Sequence, residues 1–222
     1  MKIGIIVAMD KELLQLQQVF EGSNVIIMKC GIGKVNAALG AQQMILDSRP
    51  DIIISSGCAG GHGDDVNVQD VVVSSELAYH DVYCGTAIDN STQYGQVQGL
   101  PARFKTDPYL LDKALSLQHP TPITHHLTPF TLHTGLIVTG DWFVDSKEKM
   151  RQIVEKFPDA RAVDMESAAI AQTCYIHQVP FISFRVISDV PLRDSHASQY
   201  HDFWSRVADQ SFHLTRTFVE SL

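Results

Sequence analysis

The sequence predicts one α/β domain spanning residues 1–222, with a central mixed, mostly parallel twisted sheet flanked by helices. Short apolar runs alternate with segments of helical period along the chain. Neither an internal repeat nor a linker with a shift in composition interrupts this alternation. Hydrophobic residues make up 45% of the 222 residues, so a sizeable core is expected and extensive disorder is not.

The N-terminal half begins with an apolar run typical of a strand that is buried on both faces. Asp10 follows this run and is predicted to cap the first helix, in which apolar residues recur at mostly helical spacing. A turn at residues 31–33 leads into a second predicted helix over residues 34–46. The predicted strands of this half lie at residues 3–8, 25–28, 51–55 and 71–75.

The remainder of the chain contains two long irregular segments. Residues 82–106 lack clear periodicity, and a loop of this length in a compact domain is more often functional than idle. Residues 119–129 carry three prolines and three histidines, which is typical of a surface connection. The predicted helices lie at residues 107–118, 147–156, 166–176 and 201–219. The predicted strands lie at residues 131–139, 161–163 and 181–187.

Charge and composition exclude several classes of partner. The formal net charge is −8 and no Lys/Arg cluster occurs, which argues against nucleic acid as the main partner. The first apolar run is too short for a signal peptide, and no stretch approaches the ~20 apolar residues of a membrane span. The cysteines form no CxxC motif, so we expect a cytoplasmic protein without disulfides or structural zinc. They are Cys30, Cys58, Cys84 and Cys174.

Ligands of parallel α/β sheets bind beyond the carboxyl ends of the strands, so the residues that follow each predicted strand are candidates for a site. These stretches are residues 9–12, 57–61, 140–144, 164–166 and 188–189. His62, His125 and His126 lack the spacing of metal ligands, and no metal site is expected.

Two glycine-rich stretches call for different interpretations. Gly31-Ile32-Gly33 resembles the start of a dinucleotide fingerprint, but Asn36 stands where that motif requires Gly or Ala, which favours a tight turn. Residues 57–61 hold three glycines after a buried strand, so backbone amides there can approach a ligand closely. A ligand loop is therefore favoured over a plain turn. Cys58 as a nucleophile is less favoured than Cys58 as a small buried residue.

Three further patterns each allow a structural and a functional interpretation. Trp142 and Phe143 could pack in the core or stack on a base. The carboxylates that flank Met165 could stabilise a helix N-terminus or accept from the vicinal hydroxyls of a sugar. Arg185 and Asp189, in the last apolar run, could form a strand-end salt bridge, or Asp189 could be a catalytic acid at the mouth of a pocket.

Eight segments, in order along nearly the whole chain, resemble the nucleoside phosphorylase superfamily. Within it they are most similar to the bacterial 5′-methylthioadenosine/S-adenosylhomocysteine nucleosidases. The segments are KIGIIVAMDKE (2–12), CGIGKVNAALGA (30–41), SGCAGG (56–61), YHD (79–81), YGQ (94–96), GLIVTGDWF (135–143), AVDMESAAIA (162–171) and RVISD (185–189). The resemblance implies a nucleoside phosphorylase-like fold.

The resemblance also implies a catalytic pair and its water. Glu12 would take a proton from the attacking water, and Asp189 would give its proton to adenine N7 as the glycosidic bond breaks. Arg185 and the position of Cys58 would help to hold that water. Protonation of adenine is needed because its anion is a poor leaving group, and cleavage builds an oxocarbenium-like sugar.

The substrate-binding residues follow from the same resemblance. Phe143 would stack on adenine, and the backbone of Val144 would read the edge of the base. Met165 and Glu166 would hold the ribose, Glu166 through its hydroxyls. Tyr200 would match an aromatic residue over the 5′ side. The remaining implied contacts are Met9, Ile32, Ala59, Gly60 and Ser188.

The chain departs from the family pattern at several positions. Cys58 replaces a serine hydroxyl with a weak donor, and Asp164 stands where these nucleosidases carry Glu. The segment between the first helix and Gly31 is shorter by about a β-hairpin. Residues 82–93 are longer, in a region that reaches the partner subunit's site in the family, and residues 190–199 hold one extra residue. These changes bear on the 5′ substituent and on the geometry of the water.

The expected activity is hydrolysis of 5′-substituted adenosines to release adenine, in methionine salvage, by a cytoplasmic homodimer without metal or organic cofactor. The substrates are 5′-methylthioadenosine and S-adenosylhomocysteine, with 5′-deoxyadenosine as a further candidate. A phosphorylase or an aminodeoxyfutalosine nucleosidase of the same fold is the nearest alternative. Hexameric bacterial phosphorylases place a phosphate-binding Arg where this chain has Ser55, which favours water. A nucleoside-binding protein without turnover would not require the carboxyls of Glu12, Glu166 and Asp189 together.

Overall fold

The computed structural model describes residues 1–85, 92–117, 131–193, 196–206 and 212–222, without the side chains of residues 196–198 and 205–206. The described strands are β1 (Ile3–Val7), β2 (Ile26–Lys29), β3 (Ile52–Gly61), β4 (Val71–Tyr79), β5 (Phe104–Lys105), β6 (Leu132–Thr139), β7 (Ala160–Asp164) and β8 (Phe181–Asp189). The described helices are α1 (Asp10–Val19), α2 (Lys34–Ser48), α3 (Pro108–Ser116), α4 (Lys147–Lys156), α5 (Ser167–His177), α6 (His196–Arg206) and α7 (His213–Glu220).

The eight strands form one mixed sheet, mostly parallel, as predicted. Its order is β2-β1-β3-β7-β6-β4-β5, and β8 pairs with both β3 and β4. The parallel pairs are β1–β2, β1–β3, β3–β8, β4–β6 and β6–β7. The antiparallel pairs are β3–β7, β4–β5 and β4–β8. Because β3 contacts both β7 and β8, five strands form a closed ring, and their ends surround a common space.

Apolar side chains cover both faces of the sheet. All five residues of β1 are buried, and successive residues enter different clusters. Ile5 packs with α1, α6 and α7 residues such as Leu16, Phe203 and Phe218, whereas Ile6 packs with Met44 of α2 on the other side. This alternation follows from the two-residue period of a strand, and burial on both faces explains why the run is continuously apolar.

Several predicted boundaries were wrong. Asp10 is the first residue of α1, and its N-cap is Met9. Residues 57–61, predicted to be a loop, complete β3, because Gly60 and Gly61 pair with β7 while the preceding residues pair with β8. Strands β4 and β8 extend beyond their predicted ends to Tyr79 and Asp189. A two-residue strand, β5, lies inside the predicted loop at 82–106.

The predicted helix over residues 201–219 corresponds to two described helices, α6 and α7, and residues 207–211 lie outside the described residues. The connection predicted at residues 119–129 also lies outside them. Within the described residues, the helices are too short or too polar to cross a membrane.

Candidate active site

A cavity of about 270 Å³ opens where β1, β3, β7 and β8 end, and the residues after β6 complete its wall. The structure brings thirteen of the fourteen predicted site residues to this cavity; Arg185 is the exception. They are Met9, Glu12, Ile32, Cys58, Ala59, Gly60, Phe143, Val144, Met165, Glu166, Ser188, Asp189 and Tyr200. The roles assigned to these residues stay predictions.

Glu12 lies in the first turn of α1 and is almost completely buried. Its Oε2 atom accepts from the backbone N–H groups of Ala8 and Met9 at 3.0 and 2.9 Å, and its Oε1 atom accepts from the N–H of Cys58 at 3.1 Å. Burial raises the pKa of Glu12, while Arg185 and these backbone donors oppose the rise. A carboxylate held in this way is a fixed and more basic proton acceptor.

Gly57 separates Glu12 from Arg185. A Cβ atom at this position would lie 2.7 Å from Oε1 of Glu12 and 3.1 Å from Nη1 of Arg185. The next residue, Cys58, faces the cavity, and burial followed by the charge of Glu12 raises the pKa of its thiol well above the usual value. The thiol is therefore protonated, which argues against Cys58 as a nucleophile.

Arg185 lies behind the cavity wall in β8. Its Nε atom donates to Oδ2 of Asp164 at 2.7 Å, and its Nη2 atom donates to the hydroxyl of Ser55 at 2.8 Å. Burial works to lower the pKa of Arg185, but Asp164, Glu166 and Glu12 together raise it. The guanidinium is thus a permanent positive charge beneath the site rather than part of its lining.

Glu166 stands between β7 and α5, at the position predicted for a sugar-binding carboxylate. Its Oε1 atom accepts from the backbone N–H of Gly33 at 3.0 Å. Burial, and then the charge of Asp164, raises its pKa to about 7. The turn at residues 31–33 is a tight turn, as predicted, with a φ of +93° at Gly33. Glu166 anchors this turn and thereby holds Ile32 at the cavity.

Asp189 is the last residue of β8, and its side chain is buried at the cavity. The hydroxyl of Ser188 donates to its Oδ1 atom at 2.7 Å and also to the carbonyl of Ala59 at 3.3 Å. These contacts fix the orientation of the carboxyl group across from β3. The strand-end salt bridge to Arg185 that the sequence left open does not form, because Arg185 pairs with Asp164 instead.

Aromatic side chains form the outer wall of the cavity. Phe143 is 56% exposed and meets Tyr200 edge to face, with ring centroids 5.6 Å apart. Trp142 packs against the buried His80 at 5.2 Å. A Cβ atom at Gly140 would collide with the ring of His80, so this close packing needs a glycine at that position. The exposed ring of Phe143 is a flat apolar surface of the kind that stacks on a base.

Comparison with known proteins identifies the family. The sequence model for the Phosphorylase superfamily matches residues 14–220. The chain belongs to the Phosphorylase superfamily.

Two relatives illustrate how close the similarity to other members is. The chain is 39% identical over 201 residues to a 5′-methylthioadenosine/S-adenosylhomocysteine nucleosidase of Chromohalobacter salexigens, covering 90% of this chain and 81% of the relative. It is 35% identical over 240 residues to the protein of the same name from Anoxybacillus flavithermus, covering 100% and 99% of the two chains.

Among solved structures, the fold is similar to that of the 5′-methylthioadenosine/S-adenosylhomocysteine nucleosidase from Neisseria meningitidis in complex with methylthio-immucillin-A. The TM-score is 0.87 at 33% identity, over 100% of this chain and 99% of that one. These matches confirm the predicted nucleoside phosphorylase-like fold and the resemblance on which it was based.

Five further cavity-lining residues of this superfamily member were not among the fourteen predicted site residues. Ala8 and Asp145 each lie next to a predicted site residue, and Val163 lies next to Asp164, which departs from the family pattern. The fifth, Trp142, had been left open between core packing and stacking on a base. A rule that includes the neighbours of each strand-end residue would have found them. Among the residues that the structure describes, no three His, Cys, Asp or Glu side chains converge as a metal site would require.

Proposed function

We propose that the chain is an N-ribosyl hydrolase that cleaves 5′-substituted adenosines and releases adenine. The observation that carries this proposal is the presence of two buried carboxyls, Glu12 and Asp189, on the walls of one cavity. An acid and a base held at separate positions are what glycoside hydrolysis requires, because one group protonates the leaving group while the other activates water.

The substrate would lie with adenine against Phe143 and its ribose near Met165 and Glu166. The backbone of Val144, beside Phe143, would read the edge of the base. A carboxylate such as Glu166 can accept from two neighbouring hydroxyls, which suits the 2′- and 3′-hydroxyls of ribose. Tyr200 would then cover the 5′ substituent.

Asp189 would deliver the proton that adenine needs to leave. As the bond to N9 lengthens, electrons move into the purine ring, and a proton on N7 neutralises them. The sugar develops oxocarbenium character at C1′ at the same time. Ser188 supports this step because it holds the Asp189 carboxyl in one orientation.

Glu12 would accept a proton from the water that attacks C1′. The N–H of Cys58 helps to fix Glu12, so the backbone of β3 rather than the thiol contributes to the geometry. Arg185 would act on that water through its charge and through Asp164, because the guanidinium does not line the cavity. No metal or organic cofactor is needed for these steps.

The substrate class rests on the relatives' names. Relatives at 35–39% identity are named for 5′-methylthioadenosine and S-adenosylhomocysteine, and the solved relative from Borrelia burgdorferi, at 34% identity, holds adenine. We assign these two nucleosides to this chain, with 5′-deoxyadenosine as a third candidate, in methionine salvage.

Water rather than phosphate is the proposed acceptor. Hexameric bacterial phosphorylases place a phosphate-binding Arg at the position of Ser55. In this chain Ser55 is 1% exposed and already accepts a hydrogen bond from Arg185. The purified protein should release adenine from 5′-methylthioadenosine and S-adenosylhomocysteine at the same rate with and without phosphate, and the second product should be the free sugar. Formation of a ribose 1-phosphate product would show that the chain is a phosphorylase.

We also propose that the chain is a homodimer. The outer faces of α2 and α5 expose large apolar side chains, and the helices are joined by a contact of 2.6 Å between His177 Nε2 and Gln42 Oε1. The exposed side chains are Val35, Leu39, Leu46, Tyr175 and Ile176. Burying this patch against a second copy would remove it from water, and Ile32 connects it to the cavity.

The mass in solution tests the dimer. Light scattering after gel filtration should give twice the chain mass for the wild type and a lower mass for Leu39→Glu, whereas Tyr109→Glu, on α3, should remain dimeric. A monomeric wild type would contradict the proposal. We further propose that residues 1–222 form a single domain and that the chain works in the reducing cytoplasm. The free cysteines, some of them half-buried, support the second proposal, and fractionation of the source cells would test it.

A further inference from the structure

A second cleft adjoins the candidate active site on the side of Tyr200. Its volume is about 380 Å³, and Met9 and Tyr200 line both spaces. The residues that line this cleft, here called the outer subsite, are Met9, Asp10, Lys11, Tyr200, His201 and Trp204. If Tyr200 covers the 5′ side of the nucleoside, as proposed above, the outer subsite is where a long 5′ substituent would extend.

The outer subsite carries one charge of each sign on neighbouring residues. The ammonium of Lys11 lies 5.2 Å from the ring centroid of Trp204, so the indole holds it at the cleft. In the described part of the chain, no carboxylate forms an ion pair with Lys11. Asp10 presents a carboxylate that is 76% exposed, with its Oδ1 atom 2.6 Å from Lys29.

We propose that the outer subsite binds the zwitterionic amino-acid end of S-adenosylhomocysteine, with Lys11 contacting its α-carboxylate and Asp10 its α-ammonium. This inference rests on the proposed function and specifies which 5′ substituent the chain recognises by charge. Opposite charges on neighbouring residues match a group that carries an ammonium and a carboxylate on one carbon.

A methylthio substituent would interact with this region differently. It ends in a methyl group, which can contact Met9 and Tyr200 but has no charge for Lys11 or Asp10 to bind. Lys11 is therefore a specificity-determining residue, whose removal changes the preference between the two substrates. Since Lys11 is exposed, each charge contact is worth at most about 1 kcal/mol, or roughly a fivefold change.

The test is a ratio of specificity constants. For the wild type, Lys11→Met and Lys11→Arg, kcat/KM is measured with S-adenosylhomocysteine and with 5′-methylthioadenosine on the same preparation. The fraction of folded enzyme cancels in this ratio. We expect Lys11→Met to lower the ratio of kcat/KM with S-adenosylhomocysteine to kcat/KM with 5′-methylthioadenosine roughly twofold to fivefold, through KM rather than kcat. Lys11→Arg, which keeps the positive charge, should show the wild-type ratio. The matched control Lys156→Met removes an exposed lysine of α4 and should leave the ratio unchanged.

A second substrate confirms which charge is recognised. With the α-carboxamide of S-adenosylhomocysteine, which lacks the negative charge, wild type and Lys11→Met should show the same ratio to 5′-methylthioadenosine. If both natural substrates release adenine but Lys11→Met leaves their ratio at the wild-type value, the outer subsite does not bind the amino-acid end. If the wild type releases adenine from neither substrate, the proposed function itself is wrong.

Discussion

The Nε atom of Arg185 donates to Oδ2 of Asp164 across 2.7 Å, and the two side chains are 3% and 1% exposed. Asp164 lines the cavity, whereas Arg185 lies behind its wall. The pair therefore places a compensated positive charge beneath the site. This charge acts on Glu12 and Glu166, because it opposes the rise of their pKa values.

Removing one partner of this ion pair should destabilise the fold. Arg185→Met leaves the Asp164 carboxylate buried without its counter-charge, and we expect the free energy of unfolding to fall by about 3–5 kcal/mol. Urea denaturation followed by circular dichroism measures this loss. The double variant Arg185→Met/Asp164→Asn should recover part of it. A single variant as stable as the wild type would show that the pair does not stabilise the fold.

Asp189→Asn should separate binding from proton delivery. The amide preserves size and can donate a hydrogen bond to N7, but it cannot deliver a proton. We expect adenine-containing ligands still to bind while turnover falls roughly 10²- to 10⁴-fold. A nitrophenyl riboside, whose leaving group needs no proton, should lose much less, and Asp112→Asn, on the exposed face of α3, should behave as wild type. Equal losses on both substrates would reject Asp189 as the proton donor.

Glu166→Gln should weaken recognition of the ribose hydroxyls, since one acceptor oxygen becomes a donor. We expect kcat/KM to fall roughly 10- to 100-fold, the worth of one or two hydrogen bonds to a charged group. A 2′-deoxy substrate should then lose little further activity in the variant. If wild type and variant discriminate equally against the deoxy substrate, the sugar contact lies elsewhere.

The raised pKa of Glu166 also predicts a dependence of stability on pH. Its pKa rises from 4.5 to about 7 on folding, so between these values the folded state holds a proton that the unfolded chain has released. Its stabilising contribution is complete below 4.5 and is lost as the pH rises through about 7. Between about pH 5 and about pH 8, the wild type should lose up to roughly 3 kcal/mol more unfolding free energy than Glu166→Gln. Urea midpoints at the two pH values test this, and parallel losses would contradict it.

Gly57→Ala should displace the proposed base. The new Cβ atom would lie 2.7 Å from Oε1 of Glu12, so the carboxylate must move. A shift of about 1 Å in a catalytic group lowers activity about 10²-fold, and we expect a loss of that size in kcat. Cys58→Ser is the matched control, because it keeps the backbone N–H that holds Glu12 and should retain most activity. Full activity in Gly57→Ala would show that Glu12 has room to adapt or is not the base.

Local sequence patterns were sufficient to predict those strands and helices whose signals lie within the element or next to it. The predicted strand at residues 3–8 is β1 (Ile3–Val7), because a strand buried on both faces is continuously apolar. The predicted helix at residues 147–156 is α4, which is fixed by a local cap in which the Ser146 hydroxyl accepts from the N–H of Lys149. Both signals come from residues close together in the chain.

Patterns failed where a partner far along the chain decides the conformation. Residues 57–61 contain three glycines, which predicted a loop, yet they form the end of β3 because β7 and β8 supply hydrogen-bonding partners on its two sides. Local propensity carries no information about those partners. The N-cap of α1 was misplaced by one residue for a different and local reason, since Glu12, in the first turn, accepts from the N–H of Met9.

By itself, the sequence determined the α/β alternation and the set of chemical groups at the strand ends, since burial patterns and residue types are local properties. The tertiary structure alone decided how those groups act. It pairs Arg185 with Asp164 instead of Asp189, and it joins Glu166 to Gly33 across 133 positions of the chain. Burial and charge at these contacts arise only when the strands and helices meet, and for this reason the basicity of Glu12 and Glu166 could not be known before folding.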